Sequence, residues 1–301
     1  IKPYGRRSSW KKDVNPSLCP PVSRLAIPST NKNSVTIRGR GRRLARMVFI
    51  SLQSGSNGNS LYVESGGVRL IFDAGISGRR AEDRLAAHGR DIHDVDALII
   101  SHDHADHVAC AGVFNRKFGA PLMLTEPTLR AARAKYELRR LGDVRHFVPG
   151  RELRFGHVRV ETFATPHDGA DGSAFVVDDG LRRLAILTDL GHVFGDLRAA
   201  VASADALVIE SNYDPNMLEH GPYPAVLKRR ITGNGGHLSN EESAGLVASC
   251  ASSRLRWVCL AHLSQENNTP ELALKAHRDA LGASVPLYLA PRYDSSPLLK
   301  L

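Results

Sequence analysis

Residues 102 to 107 read His102-Asp103-His104-Ala105-Asp106-His107 and follow directly on the apolar run Ala97-Leu98-Ile99-Ile100. The H-x-H-x-D-H spacing sets four metal-ligand side chains at the exit of one strand. Residues two apart on an extended segment leave it on the same side, so His102 and His104 can face one ion. Asp106 and His107, just past the turn, can face a second ion beside the first. Borderline ions such as zinc or manganese accept imidazole and carboxylate together, and the expected cofactors are two divalent ions, Zn or Mn.

A site begun in this way needs further ligands, and single candidates stand at later strand exits. His167 follows Val158-Arg159-Val160-Glu161-Thr162-Phe163, Asp189 follows Leu184-Ala185-Ile186-Leu187, and His262 follows Trp257-Val258-Cys259-Leu260-Ala261. A histidine or aspartate at such a place is ordinarily a turn or capping residue. Their order behind the first cluster makes them ligand candidates instead.

The pattern of H-x-H-x-D-H, then His, Asp and His resembles the metallo-β-lactamase superfamily. Within it the chain is similar to the YycJ-like (WalJ) branch of DNA exonucleases, through Ser54-Gly55-Ser56-Asn57-Gly58-Asn59-Ser60, Leu70-Ile71-Phe72-Asp73-Ala74-Gly75, Ile209-Glu210-Ser211-Asn212-Tyr213-Asp214, Gly236-His237-Leu238-Ser239-Asn240 and Ala261-His262-Leu263-Ser264. The likeness spans roughly residues 47 to 290. It implies one ion on His102, His104 and His167 and another on Asp106, His107 and His262, with Asp189 bridging both. Two such ions can hold a shared hydroxide and polarise the bond that it attacks. The resemblance also implies that Glu210 orients His237, which protonates the leaving oxygen or holds the scissile phosphate. His237, Glu210 and Asp106 are thus the candidate catalytic residues, Asp106 also being a ligand. Asp73 either orients ligand loops from beneath or forms a plain strand-end turn with Gly75. The loop 54–60 either contacts substrate or is a hairpin turn, and the helix start after His237 could help to bind phosphate.

The elements needed to hold these residues can be read from periodicity and turn residues. Strands open the chain from Met47, with turns at Gly55 to Asn59 and at Gly66-Gly67, before a polar helix near Ala81 to His88. Strand 96–100 delivers the first cluster. A helix over Val108 to Phe118, strand 121–124 and a helix from about Pro127, capped by Thr125 or Glu126, come next. Strands then dominate to residue 187, and a mixed segment leads to a helix at Asn240 to Cys250, strand 256–261 and a helix at Pro270 to Leu281. The expected fold class is α/β, a four-layer αββα sandwich.

The net charge of +9 suggests a nucleic-acid binder until it is divided along the chain. Residues 1–46 hold 12 Lys and Arg against Asp13, a net of +11, and the remaining 255 residues hold 28 basic and 30 acidic side chains. Any field for phosphate in the catalytic part must be local, from Arg139, Arg140, Lys228, Arg229 and Arg230 or from the metals. Residues 1–46 lack apolar periodicity and are expected to be a basic, disordered extension, while 47–301 form the catalytic domain. The extension reads as a transit peptide, a nucleic-acid-binding arm or sequence upstream of the true start; Met47 opens the first strand and favours the last. No run approaches the ~18 apolar residues of a membrane span. Cys19, Cys110, Cys250 and Cys259 show no paired spacing and read as reduced thiols of a cytoplasmic protein.

The expected function is a metal-dependent hydrolase of phosphodiester bonds, a 5′-to-3′ DNA exonuclease with nucleic acid as its partner. A glyoxalase II-like thioesterase shares the ligand set, but a thiolate leaving group needs little help from Glu210 and His237. A metal-bound regulator without hydrolysis is the alternative of another class. Only 73 positions separate Asp189 from His262, too few for the domain that β-CASP nucleases insert there. Deleting residues 1–46 is expected to preserve nuclease activity and most of the affinity. A DNA-binding arm would instead lose affinity and flatten its salt dependence, by roughly 0.9 in slope per lost phosphate contact.

Overall fold

A computed structural model describes residues 36–37 and 46–301. The first half runs β1 (Thr36–Ile37), β2 (Val48–Gln53), β3 (Ser60–Ser65), β4 (Val68–Phe72), α1 (Gly78–Ala87), β5 (Ala97–Ile99), α2 (Ala105–Val108), α3 (Ala111–Phe118), β6 (Leu122–Leu124), α4 (Glu126–Lys135) and β7 (Val144–His146). The second runs β8 (Glu152–Phe155), β9 (Val158–Ala164), β10 (Ser173–Asp178), β11 (Arg183–Leu187), α5 (Gly195–Ser203), β12 (Ala206–Glu210), α6 (Pro215–His220), α7 (Ala225–Thr232), α8 (Asn240–Cys250), β13 (Trp257–Ala261), α9 (Pro270–Leu281), β14 (Leu287–Leu289) and β15 (Leu299–Lys300). Of the extension, Thr36–Ile37 pairs in parallel with Arg154–Phe155. The expectation of disorder for the rest of residues 1–46 lies, Arg46 apart, outside the described residues.

Two sheets result, one ordered β15-β2-β3-β4-β5-β6-β7 and the other β1-β8-β9-β10-β11-β12-β13-β14. Their facing sides share one apolar layer, in which Phe49, Val63, Phe72 and Ile99 meet Val160, Phe175, Ile186, Val208 and Cys259. Alternate residues point outward. Ile50, Tyr62, Ile71 and Leu98 pack under α1, α3 and α4, whereas Val176, Ala185, Leu207 and Val258 pack under α5, α8 and α9. Strands apolar on both faces need a helical cover on each outer side, and the molecule is the four-layer αββα sandwich expected.

Strand direction places the site. β4, β5, β6 and β7 run parallel, as do β11, β12, β13 and β14. The carboxyl ends of β4, β5, β11, β12 and β13 release Asp73, the His102–His107 cluster, Asp189, Glu210 and His262. Such ends are where open α/β sheets bind ligands.

The expected helix over 108–118 is broken in two. Asn59 N–H donates to the Asp106 carbonyl at 2.7 Å and Ala74 N–H to the His107 carbonyl at 2.7 Å, while Cys110 N–H turns to the Ala74 carbonyl at 2.9 Å. These tertiary bonds replace the helical ones and fix the ligand turn to the ends of β3 and β4. The other differences are small. α4 is capped by Thr125, whose side chain accepts from Thr128 N–H. The mixed segment resolves into α5, β12, α6 and α7, and the C-terminal β15 returns to pair with β2.

The approach of the ligand turn to the end of β4 requires Gly75. A Cβ there would lie 1.7 Å from the Asp106 carbonyl oxygen. Gly75→Ala must push the Asp106–His107 turn outward, at a cost of about 1–3 kcal/mol typical of overpacking. We expect a lower urea midpoint together with a lower metal content; a variant equal to the parent in both would contradict this account.

Candidate metal centre

Four of the five candidate ligand histidines, His102, His107, His167 and His262, have Nδ1 engaged by the protein. His107 Nδ1 lies 2.8 Å from Asp73 Oδ2, His167 Nδ1 lies 2.9 Å from the Gly236 carbonyl, and His262 Nδ1 lies 3.3 Å from Glu210 Oε1. His102 Nδ1 is 3.0 Å from Ser101 Oγ. In each ring the opposite nitrogen faces a common centre. A hydrogen bond on one side fixes the tautomer and orientation presented on the other.

The inward-facing atoms converge in groups. One donor atom from each of His102, His104 and His167 lies within 4.8 Å of the others, and the same holds for Asp106, His107 and His262. Asp189 belongs to both sides. Its Oδ1 is 3.5 Å from His262 Nε2 and 3.7 Å from His167 Nε2, and its Oδ2 is 3.4 Å from His107 Nε2. Glu210 and His237 also come within this distance of Asp189 and His262.

The buried atoms left without a hydrogen bond include His102 Nε2 and Asp189 Oδ2. Buried polar atoms without partners are rare because desolvation then goes uncompensated. Two of them aimed into one ring of imidazoles and carboxylates fit divalent cations, and the donor types suit borderline metals.

Charge in the cluster follows from the same geometry. Burial alone would push His262 down, but the Asp189 charge and the hydrogen bonds to Asp106 and Glu210 lift it to about 10. His107 is raised well above the usual range, since the charges of Asp189, Asp106 and Asp73 outweigh its burial. His102 goes the other way, pushed well below its usual value by burial and by the neighbouring His107. Burial would raise the Glu210 carboxyl, yet the His237 charge and hydrogen bond pull it down to about 2. Asp189 is likewise held well below the carboxylate range by His262 and His107 against its burial.

The backbone carries strain at this place. Asp73, Asp189 and His262 have φ of 64°, 57° and 55°. They are three of the five non-glycine residues in the left-handed region among the described residues. Such residues cluster where surrounding structure holds a functional geometry.

The structure also shows what the open expectations left undecided. Asp73 does orient the ligand turn: besides His107 it accepts from Ser101 N–H at 2.8 Å and from Ser101 Oγ. The loop 54–60 is a hairpin connection that braces the centre. Ser54 Oγ accepts from His262 N–H at 2.9 Å, and Asn59 Nδ2 reaches Asp106 Oδ2 at 3.2 Å and His107 Nε2 at 3.0 Å. Asp103, the spacer of the motif, points away, to Lys135 Nζ and to Ala170 N–H. The α8 N-terminus carries a capping box, Ser239 with Glu242, which occupies two of its backbone donors. Of the basic residues expected to supply a phosphate field, Arg230 is paired with Asp168 beside His167, Lys228 Nζ donates to the Glu219 carbonyl, and Arg139 faces Glu137.

Ser101, Asn59 and Asn212 were not singled out among the sequence motifs for any role. Asn212 Nδ2 donates to the His262 carbonyl at 2.7 Å. Ser101 directly precedes His102 and Asn212 stands two positions after Glu210, and this nearness along the chain is the available signal.

The sequence pattern of the metallo-beta-lactamase superfamily matches residues 54–245. Exodeoxyribonuclease YycJ of Bacillus anthracis is 36% identical over 227 residues, which cover 75% of this chain and 85% of the relative. Exodeoxyribonuclease WalJ of Streptococcus pneumoniae is 38% identical over 226 residues, covering 74% and 83%. Among solved structures, the metallo-beta-lactamase fold protein YhfI from Bacillus subtilis superposes with a TM-score of 0.65 at 16% identity, over 85% of this chain and all of that one. With its ligand motif, its two-sheet architecture and its relatives in agreement, the chain belongs to the metallo-beta-lactamase superfamily of hydrolases, in the branch that contains YycJ and WalJ.

Proposed function

We propose that this enzyme is a dinuclear metal-dependent phosphodiesterase, a 5′-to-3′ DNA exonuclease of the cytoplasm. The observation that carries the reading is the pair of His237 and Glu210. Nδ1 of His237 is 2.6 Å from Glu210 Oε1, and its ring lies 4.9 Å from that of His167 and 5.2 Å from that of His262. A charged partner on Nδ1 leaves Nε2 as the nitrogen that can address a substrate at the junction of the two ligand groups. Phosphodiester cleavage expels an alkoxide, which needs a proton or a positive neighbour, whereas a thiolate does not. The reading also accords with the names of YycJ and WalJ, both exodeoxyribonucleases.

In this reading His102, His104 and His167 would hold one ion and Asp106, His107 and His262 the other, with Asp189 shared by the two groups. Bound there, the pair would supply an activated water and neutralise charge on the phosphate. The protein supplies the rest. His237 would give a proton to the leaving oxygen, and Glu210, buried beside it, orients the ring for that transfer. Glu210 Oε2 accepts from Leu190 N–H and Leu238 N–H, both at 3.2 Å, so the carboxylate is itself held at two backbone points. No helix among the described residues is long and apolar enough to cross a membrane. Cys110 and Cys259 are free thiols among the described residues.

The direct test is release of nucleotides from 5′-phosphorylated linear DNA with Mn²⁺ or Zn²⁺, with a glutathione thioester as control. Thioester cleavage without DNA cleavage would reverse the assignment. His237→Ala should keep both ions and lower turnover by roughly 10²–10⁴, the usual scale of acid–base help. Loss of metal in that variant would make His237 a ligand.

Metal binding should depend on pH in a known direction. His262, at about 10, is cationic near neutrality without an ion, and a bound imidazole is not. Binding to the Asp106, His107 and His262 group therefore releases protons, and apparent affinity rises with pH above neutrality. The group with His102 and His104, both pushed down by burial, has no such protons to lose from these two rings. Calorimetric titration in two buffers of different ionisation heat measures the release, and Asp189→Ala should weaken both binding events. Uptake of protons, or an Asp189→Ala variant that keeps two ions at full affinity, would refute the scheme.

A further inference from the structure

On the His262 side of the centre, Arg292 lies over the bracing loop. Its guanidinium packs against Gly55, where a Cβ would lie 3.0 Å from Cζ, and Gly55 has a φ of 139°. Nη1 donates to Asn57 Oδ1 at 3.0 Å and Nη2 to the carbonyl of Leu263, the residue after His262. Both acceptors are neutral. Among the described residues no carboxylate stands within ion-pair distance of this half-buried guanidinium, in contrast to Arg230, which is matched by Asp168. Burial lowers its pKa, while Tyr293, Tyr223, Asp106 and Glu266 are near enough to act on its charge without forming an ion pair.

An arginine has five N–H donors in a planar fork, and two of these groups are spent here on neutral oxygens. A partly desolvated cation without a counter-ion is costly, and a phosphate oxygen would compensate that cost with charge-assisted hydrogen bonds. The next residue, Tyr293, is 67% exposed, with its hydroxyl tied to Gln265 Oε1 at 3.0 Å, so the ring is fixed while most of its surface is open. A fixed aromatic ring beside an unpaired guanidinium is the combination that grips single-stranded nucleic acid, base on ring and phosphate on cation.

We propose that Arg292 and Tyr293 form a subsite for one strand of DNA next to the metal centre, Arg292 holding a phosphate and Tyr293 stacking a base. The subsite rests on the phosphodiesterase reading and narrows its substrate to a strand whose bases are unpaired where it enters. It also explains a discrepancy. The catalytic part has no net positive charge, so strand binding must come from a few placed groups rather than from a general field.

The test uses the full-length metal-loaded protein and a short phosphorothioate single strand, read by fluorescence anisotropy across a KCl series. Arg292→Ala should weaken binding at least about tenfold and make the slope of log Kd against log salt shallower by roughly 0.7, the share of one phosphate on a single strand. Arg292→Lys should restore the slope. Tyr293→Ala should weaken binding roughly five- to hundredfold with the slope unchanged, as expected for lost stacking. Metal content and thermal midpoint are measured in parallel. Unchanged affinity and slope in Arg292→Ala overturn the proposal, as does weakening that tracks loss of metal, which would make Arg292 only a brace of loop 54–60. Failure of the parent to bind the strand also overturns it. Failure of the parent to cleave DNA while it binds the strand overturns the nuclease reading instead.

Discussion

Negative charge in the interior is the constraint on which this structure depends. Asp73, Asp189 and Glu210 are almost wholly buried, and Asp106 is partly buried. An uncompensated carboxylate in such a place costs several kcal/mol. The neighbouring carboxylates raise the proton affinity of His107 and His262, and divalent ions fit the same demand. The same carboxylates thus hold the rings in place and create the need for the metal. Glu210 shows the economy of the arrangement, because its Oε1 faces both His237 and His262. One oxygen orients a proposed ligand and a proposed acid together, so the two cannot move independently.

Converging this many groups demands backbone that ordinary strand exits do not provide. Asp73, Asp189 and His262 end β4, β11 and β13 in the left-handed region, which turns each side chain back over the strand ends instead of onward into the following loop. Strain of this kind costs of order 1 kcal/mol for each residue, less for Asp and His than for branched side chains. It persists because neighbours over-determine it. Ser54 Oγ receives the His262 N–H, and Asp73 N–H is bound to the Ile99 carbonyl at 2.8 Å. Aspartate and histidine at these positions therefore satisfy two requirements, one chemical and one conformational.

How much of this was legible in the sequence depends on distance along the chain. The cluster at 102–107 and the residues His167, Asp189 and His262 were legible because each follows an apolar run, and a strand end with a ligand residue is a local pattern. The sandwich followed from strands apolar on both faces alternating with amphipathic helices. Glu210 and His237 were legible only by their order between Asp189 and His262. The supporting residues were not legible, since their roles exist only across the fold: Ser54 meets His262 across 208 positions and Asn57 meets Arg292 across 235. Local propensity also misled where tertiary bonds took over, as at Cys110, whose N–H leaves the helical ladder for Ala74. α6 and α7 escaped notice because they cover a small separate cluster of Tyr213, Leu218 and Ile231 instead of the main core.

The loop 54–60 ties these levels together. Its Ser54 end holds the backbone of His262, its Asn59 end holds Asp106 and His107, and its middle, at Gly55 and Asn57, carries Arg292. One short hairpin connection therefore touches Asp106, His107 and His262, three of the four proposed ligands of the second ion, and the guanidinium proposed to receive the strand. A phosphate drawn to Arg292 would press on the same loop that sets the geometry of His262 and Asp106. Binding of the strand and order at the second ion would then be linked through hydrogen bonds that already exist, without a moving domain. Gly55 makes this possible in a plain steric sense, for its φ and the nearness of the guanidinium exclude a side chain. In the first sheet the hairpin connects β2 to β3; in the site it is the contact between the metal centre and the surface across which substrate must arrive.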